Sequence, residues 1–135
     1  MNNHRAHNAG LLVLRLGIGA VFFLFGIDKL QEPSNWIIYI PNQLGQTIQS
    51  SGLVSVMQFL RAQGFVETIL GLQIACGCLA RWSSAGACLL LATIVAIIGL
   101  DQTGIRDFGL LSAAIALTFL GPGDWSIDAW LNRKR

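Results

Sequence analysis

Polar positions punctuate this chain; they do not alternate with apolar ones. Long apolar runs cover residues 10–30, 64–80, 83–100 and 104–121. A bilayer core of about 30 Å takes about 20 mostly apolar residues as a helix. The first three runs approach or meet that length, with Arg15 embedded in the first and Glu67 in the second. The fourth meets it only if Arg106 and Asp107 are counted inside, because residues 108–121 alone are too short to cross untilted. The pattern predicts an all-α, integral membrane four-helix bundle. The alternative, a set of buried soluble helices, would leave no amphipathic helix to face water.

The connection 31–63 separates the first two spans. It opens "QEPSNWIIYIPNQLG", with Trp36 and Tyr39 suited to the headgroup layer. Its later part, "GLVSVMQFLRAQ", has helical character and either extends the second span or lies along the surface. The first run resembles a signal peptide, but no small-x-small site precedes "DKLQEP", so it is read as an uncleaved span.

Composition agrees with the membrane reading. Hydrophobic residues make up 53% and charged residues 12% of the 135, about half the charge of an ordinary soluble domain. A net charge of +2 with no basic run excludes a nucleic-acid partner. Lys and Arg counted over short loops set orientation. With the N-terminus inside, the inner side holds Arg5, Arg81 and the tail 129–135 with Arg133, Lys134 and Arg135. The outer side holds Lys29, Arg61 and Arg106. The expectation is a multi-pass protein of the inner (cytoplasmic) membrane with both termini cytoplasmic, its first partner the lipid bilayer.

Ionisable groups inside spans are costly and mark candidate sites. At about 100° per residue, Arg15, Gly19, Phe22, Gly26 and Lys29 share one stripe of the first helix. Gly64, Glu67, Gly71 and Cys78 share one on the second. Arg106, Gly109, Ala113 and Ala116 share one on the fourth. Charges therefore lie on the faces of small residues, where membrane helices approach closely; Gly19, Gly26, Gly71, Gly109 and Ala113 are the expected packing positions. A rise of about 1.5 Å per residue puts Glu67 and Arg106 at the same level. Arg15 lies toward the cytoplasmic side, within snorkelling reach. A polar cluster of Lys29, Glu67, Arg106 and Asp107 is expected in the outer half, joined by Asp28 and Asp101. Two readings of it stay open: Glu67 pairs with Arg106 and fixes helix register, or the cluster lines a cavity for a headgroup, a proton or a quinone.

Other residues take blander readings. Cys76, Cys78 and Cys88 are read as free, buried small hydrophobes. His4 and His7 fall in a frayed tail. No metal-ligand set is present, and the glycines of "GIG" lie in a span and form no phosphate loop.

These residues carry a resemblance. "LRLGIGAVFFLFGIDKL", "WIIYIP", "GFVETILGLQIACG", Arg81, "IRDFGLL" and "GPGDWSID" follow one another in an order and spacing that resembles the DoxX-like small membrane proteins, from about residue 11 to 128. The resemblance implies a four-helix membrane bundle and gives Arg15, Lys29, Glu67, Arg106 and Asp107 as family-like polar positions, without assigning any of them a proven catalytic role. The family takes its name from a subunit associated with a thiosulfate:quinone oxidoreductase. Relatives resemble membrane partners of thiol and oxidative-stress enzymes. The implied function is an accessory or anchoring subunit of a membrane redox complex, bound to a larger protein. One alternative is a quinone-linked subunit whose polar cluster binds the quinone headgroup. Another is a conduit for a small solute or protons. With no recognisable haem, flavin or iron–sulfur ligand set, and no covalently bound cofactor expected, the chain is not expected to be catalytic alone.

Overall fold

A computed structural model describes residues 3–99 and 102–133. The chain runs through α1 (Asn3–Gln31), a 3-10 helix (Pro33–Tyr39), α2 (Asn42–Ser50), α3 (Val56–Cys76), α4 (Ala80–Ile98), α5 (Gln102–Leu120) and α6 (Ile127–Asn132). No strand occurs among the described residues. The four long helices form the bundle: α1 packs on α3, α4 on α5, and the two pairs meet through α3–α4 and α1–α5. The inner core is Ile18, Phe22, Ile74, Ala87, Leu91, Ala114 and Leu117. Val13, Leu24, Trp82, Leu89, Ile105 and Phe119 point outward and are exposed, while Arg15, Lys29, Glu67 and Asp107 are buried. This inside-out distribution suits lipid, not water. By length and composition α1, α4 and α5 can each cross a membrane; α3 is as long but carries Arg61, Gln63, Glu67 and Gln73. The molecule is an all-α membrane protein.

Several boundaries differ from the sequence expectation. α1 starts at Asn3, so His4 and His7 lie in helix and not in a frayed tail. α3 starts at Val56, so the later part of the connection extends the second span, one of its two expected readings; Ser55 makes a capping box with Gln58 there. It ends at Cys76, where Gly77 takes the left-handed conformation (φ +70°) that glycine adopts without penalty. Leu100, the last residue of the expected third span, and Asp101, Lys134 and Arg135 lie outside the described residues.

The α1–α3 contact is the tightest in the molecule. A Cβ placed on Gly19 would lie 2.8 Å from the carbonyl oxygen of Gly71; one on Gly71 would lie 2.7 Å from that of Gly19. Gly26 and Gly64 repeat the arrangement one heptad away, at 2.7 and 2.8 Å. The two backbones touch, as small residues allow in a membrane.

On α5 the expected face is corrected. Gly104, Asp107, Ala114 and Leu117 are its buried residues. Gly109 is exposed, with nothing within 4 Å of an added Cβ, and Ala113 is only partly buried against the core. The buried stripe is turned by about one residue, or about 100°, because Ala114 and Leu117 drop into the central core.

Arg15 is corrected too. It does not snorkel: it is buried and donates to the carbonyls of Pro122 (2.7 Å) and Trp125 (2.6 Å), with Nε left unbonded. The fork of a guanidinium matches two converging acceptors, so both terminal nitrogens are bonded in place. In the same clasp Asp128 accepts from the amides of Leu79 (2.8 Å) and Ala80 (3.0 Å), and Asn8 donates to Asp124 (2.7 Å).

Replacing Gly71 by Leu should collapse the yield of monodisperse protein on size-exclusion chromatography. Its Cβ alone would meet the Phe23 amide nitrogen at 2.5 Å, and backbone gives way less readily than the side chains whose overpacking costs about 1–3 kcal/mol. Gly109→Ala should elute as the parent does; equal behaviour of the two variants would show that the glycine contact does not hold the bundle.

Candidate functional site

The last turn of α1 and the first half of α3 build one wall of the site. Lys29 follows Gly26 by one turn, so it lies on the face where the two helices touch. Its stem packs beside Gly64, and Nζ donates to both oxygens of Glu67, at 2.6 and 2.7 Å. Gln63, one turn before Glu67, donates to the same Oε1 at 3.1 Å. The Lys29 and Glu67 side chains are only 6% and 5% exposed. Both carboxylate oxygens are thus occupied by donors from the protein.

The 3-10 helix forms a roof. Trp36 lies over the Lys29 ammonium, 4.3 Å from ring centroid to Nζ, a favourable cation–π geometry. Its indole N–H donates to Asp28 at 2.7 Å. Phe25 meets Trp36 edge-on at 5.4 Å, and Tyr39 stands 5.7 Å from it on the other side. The opposite wall comes from α5. Arg106 donates through Nε to Oδ1 of Asp107 (3.0 Å), with Nη2 in ion-pair contact 2.9 Å from the same oxygen, and its guanidinium sits 5.2 Å from the Phe25 ring. The Arg106 side chain is 50% exposed and that of Asp107 8%. Between these walls lies a cavity of about 350 Å³, closed on the core side by Phe22, Leu91 and Leu110.

Four expected site residues, Lys29, Glu67, Arg106 and Asp107, line this one cavity. Arg15 does not: it belongs to the clasp at the other end. The expected Glu67–Arg106 pair is corrected to Lys29–Glu67 and Arg106–Asp107. The reason lies in helix arrangement. The glycine contact brings α1 against α3, whereas α5 packs on α4 and α1, leaving Arg106 across the cavity from Glu67. Asp28 enters by anchoring the roof; Asp101 lies outside the described residues. Gln63 was missed, although its i−4 spacing from Glu67 places it on the same face. The roof role of Trp36 was missed because an interfacial aromatic and a cavity cover look alike in sequence.

The cysteines stand apart from the site. Cys76 is exposed, against the buried reading; Cys78 and Cys88 are partly buried. The exposure follows from position, since the stripe of α3 turned to α1 is that of Gly64, Glu67 and Gly71. Among the described residues no three His, Cys, Asp or Glu converge as a metal site.

Removing either partner of Lys29–Glu67 leaves a buried charge uncompensated, at a cost of about 3–5 kcal/mol. Lys29→Met and Glu67→Gln should each destabilise the protein in detergent unfolding by that order. The double variant should fall well short of the sum; additive losses would mean that the pair is not coupled.

The model of the DoxX family matches residues 10–100, from the first apolar turn of α1 to just beyond α4. The chain is also similar to an uncharacterized membrane protein of Mycobacterium tuberculosis, 26% identical over 151 aligned positions that cover 97% of this chain and 86% of the relative. No solved structure matches it. With its long apolar helices and buried charges, this chain belongs to the DoxX family and is a multi-pass membrane protein.

Proposed function

We propose that the chain is an accessory membrane subunit of a redox complex, and that its cavity receives the ring of a quinone-type molecule. The observation that carries the reading is the cavity itself. Its volume of about 350 Å³ falls within the roughly 300–1,000 Å³ of small-molecule sites. Its walls combine flat aromatic surface (Phe25, Trp36, Tyr39) and aliphatic Ile94 with a few fixed polar groups, the mixture that suits a lipophilic ring bearing polar oxygens. The lining side chains offer hydrogen bonds and charge. Electrons passed to or from the ring would be exchanged with a partner protein that has its own redox group, hence an accessory role. A conduit through Glu67 is less well supported, since both its oxygens are held by Lys29.

The surface of α5 favours a partner. Gly109 is open to the surroundings, and Ser112 and Ala116 follow it at helical spacing. Small outward residues leave room for a helix from another subunit.

Isothermal titration of the detergent-solubilised protein with tetramethylbenzoquinone, blanked against empty micelles, should give a saturable heat. Trp36→Ala should weaken binding roughly two- to tenfold, the worth of one aromatic contact. No saturable heat would end the quinone reading. For the partner, affinity purification from gently solubilised membranes should recover a larger redox protein in stoichiometric amount. Gly109→Leu should lose that protein while remaining folded; recovery of this chain alone would count against an accessory role.

A further inference from the structure

The carboxylates around the cavity are not equivalent. Glu67 is fully committed, with Oε1 bonded by Lys29 and Gln63 and Oε2 by Lys29. Asp28 lies exposed at the rim and holds the Trp36 indole. Asp107 differs from both. Its side chain is more than nine-tenths buried and lines the cavity, yet the hydrogen bond from Arg106 Nε and the closest approach of Nη2 both fall on Oδ1. Among the described residues no protein group donates to Oδ2. That oxygen is also not sealed away, since the one fully enclosed side-chain atom without a partner among them is Nε of Arg15. Oδ2 is thus an unbonded, incompletely enclosed acceptor on a buried side chain that lines the cavity. Beside it, Arg106 bonds Asp107 through Nε and approaches it through Nη2, while its half-exposed guanidinium lines the cavity with Nη1 not hydrogen-bonded among the described residues.

An acceptor next to a donor is complementary to a hydroxyl, which both donates and accepts. A ring carbonyl only accepts, so it would leave Oδ2 unanswered, and a buried acceptor without a donor is costly. Formal charge points the same way. Asp28, Glu67 and Asp107 outnumber Lys29 and Arg106 in the lining, which disfavours an anionic headgroup. We infer that Asp107 and Arg106 together recognise a ring hydroxyl, so that the cavity prefers the reduced, dihydroxy form of a quinone-type molecule over the oxidised dicarbonyl form. The inference rests on the reading of the cavity as a ring-binding site and adds to it the redox form that binds.

The test compares tetramethylhydroquinone with tetramethylbenzoquinone by anaerobic titration calorimetry on the parent protein, which requires no variant to fold. The reduced form should bind about tenfold more tightly, the worth of one hydrogen bond to a charged group. In Asp107→Asn the amide can place a donor where Oδ2 stood, and the preference should vanish or reverse, with thermal unfolding run alongside to verify the fold. Equal binding of the two forms, tighter binding of the oxidised form, or an unchanged preference in a folded Asp107→Asn protein each overturns the hydroxyl preference alone. Binding of neither form removes the ring-binding reading and this inference with it.

Discussion

Backbone contact between α1 and α3 is the constraint on which the other features depend. In lipid there is little hydrophobic force to press two apolar helices together, so close packing must supply the attraction. Paired glycines at positions 19 and 71, and at 26 and 64, remove the side chains that would hold the axes apart. The result reaches beyond the contact itself. Lys29 lies one turn past Gly26, and only a closely packed α3 brings Glu67 within 2.6 Å of its ammonium. Trp36 then rests on that ammonium, and the roof over the cavity follows. Packing, ion pair and cover form a dependent series.

The same contact accounts for α3. Its polar residues would be unwelcome against lipid, but Glu67 and Gly71 face α1, and Gln63 turns toward the ion pair. A helix too polar to stand alone in a membrane is made tenable by its neighbour. The cost of burying the charges is met by mutual satisfaction, with three donor contacts on one carboxylate.

Much of this arrangement was legible in the sequence. Runs near 20 residues named the long helices, and coincidence of glycine with charge named the inward faces of α1 and α3, because there both signals sit on one stripe. On α5 the signals separate. The small-residue stripe through Arg106 and Gly109 and the core stripe through Asp107, Ala114 and Leu117 differ by one position, and only the three-dimensional core decides between them. The identity of ion-pair partners was hidden for a related reason. Depth along a helix can be counted, but which helix stands beside which cannot. Arg15 was misjudged because its acceptors are backbone carbonyls of residues 122 and 125, and backbone acceptors leave no mark in residue type.

The clasp around Arg15 also bears on how the protein is made. Residue 15 emerges from the ribosome more than a hundred residues before its acceptors at 122 and 125. Until they emerge, the first helix carries a cation with no acceptor in the place where it will finally be buried, so its seat at that end is provisional. It becomes permanent only when "GPGDW" arrives and closes around the guanidinium. The segment 122–125 is therefore a late-arriving lock: a polypeptide cut short before it contains α1, α3, α4 and α5 and still lacks the group that fixes the first of them in position.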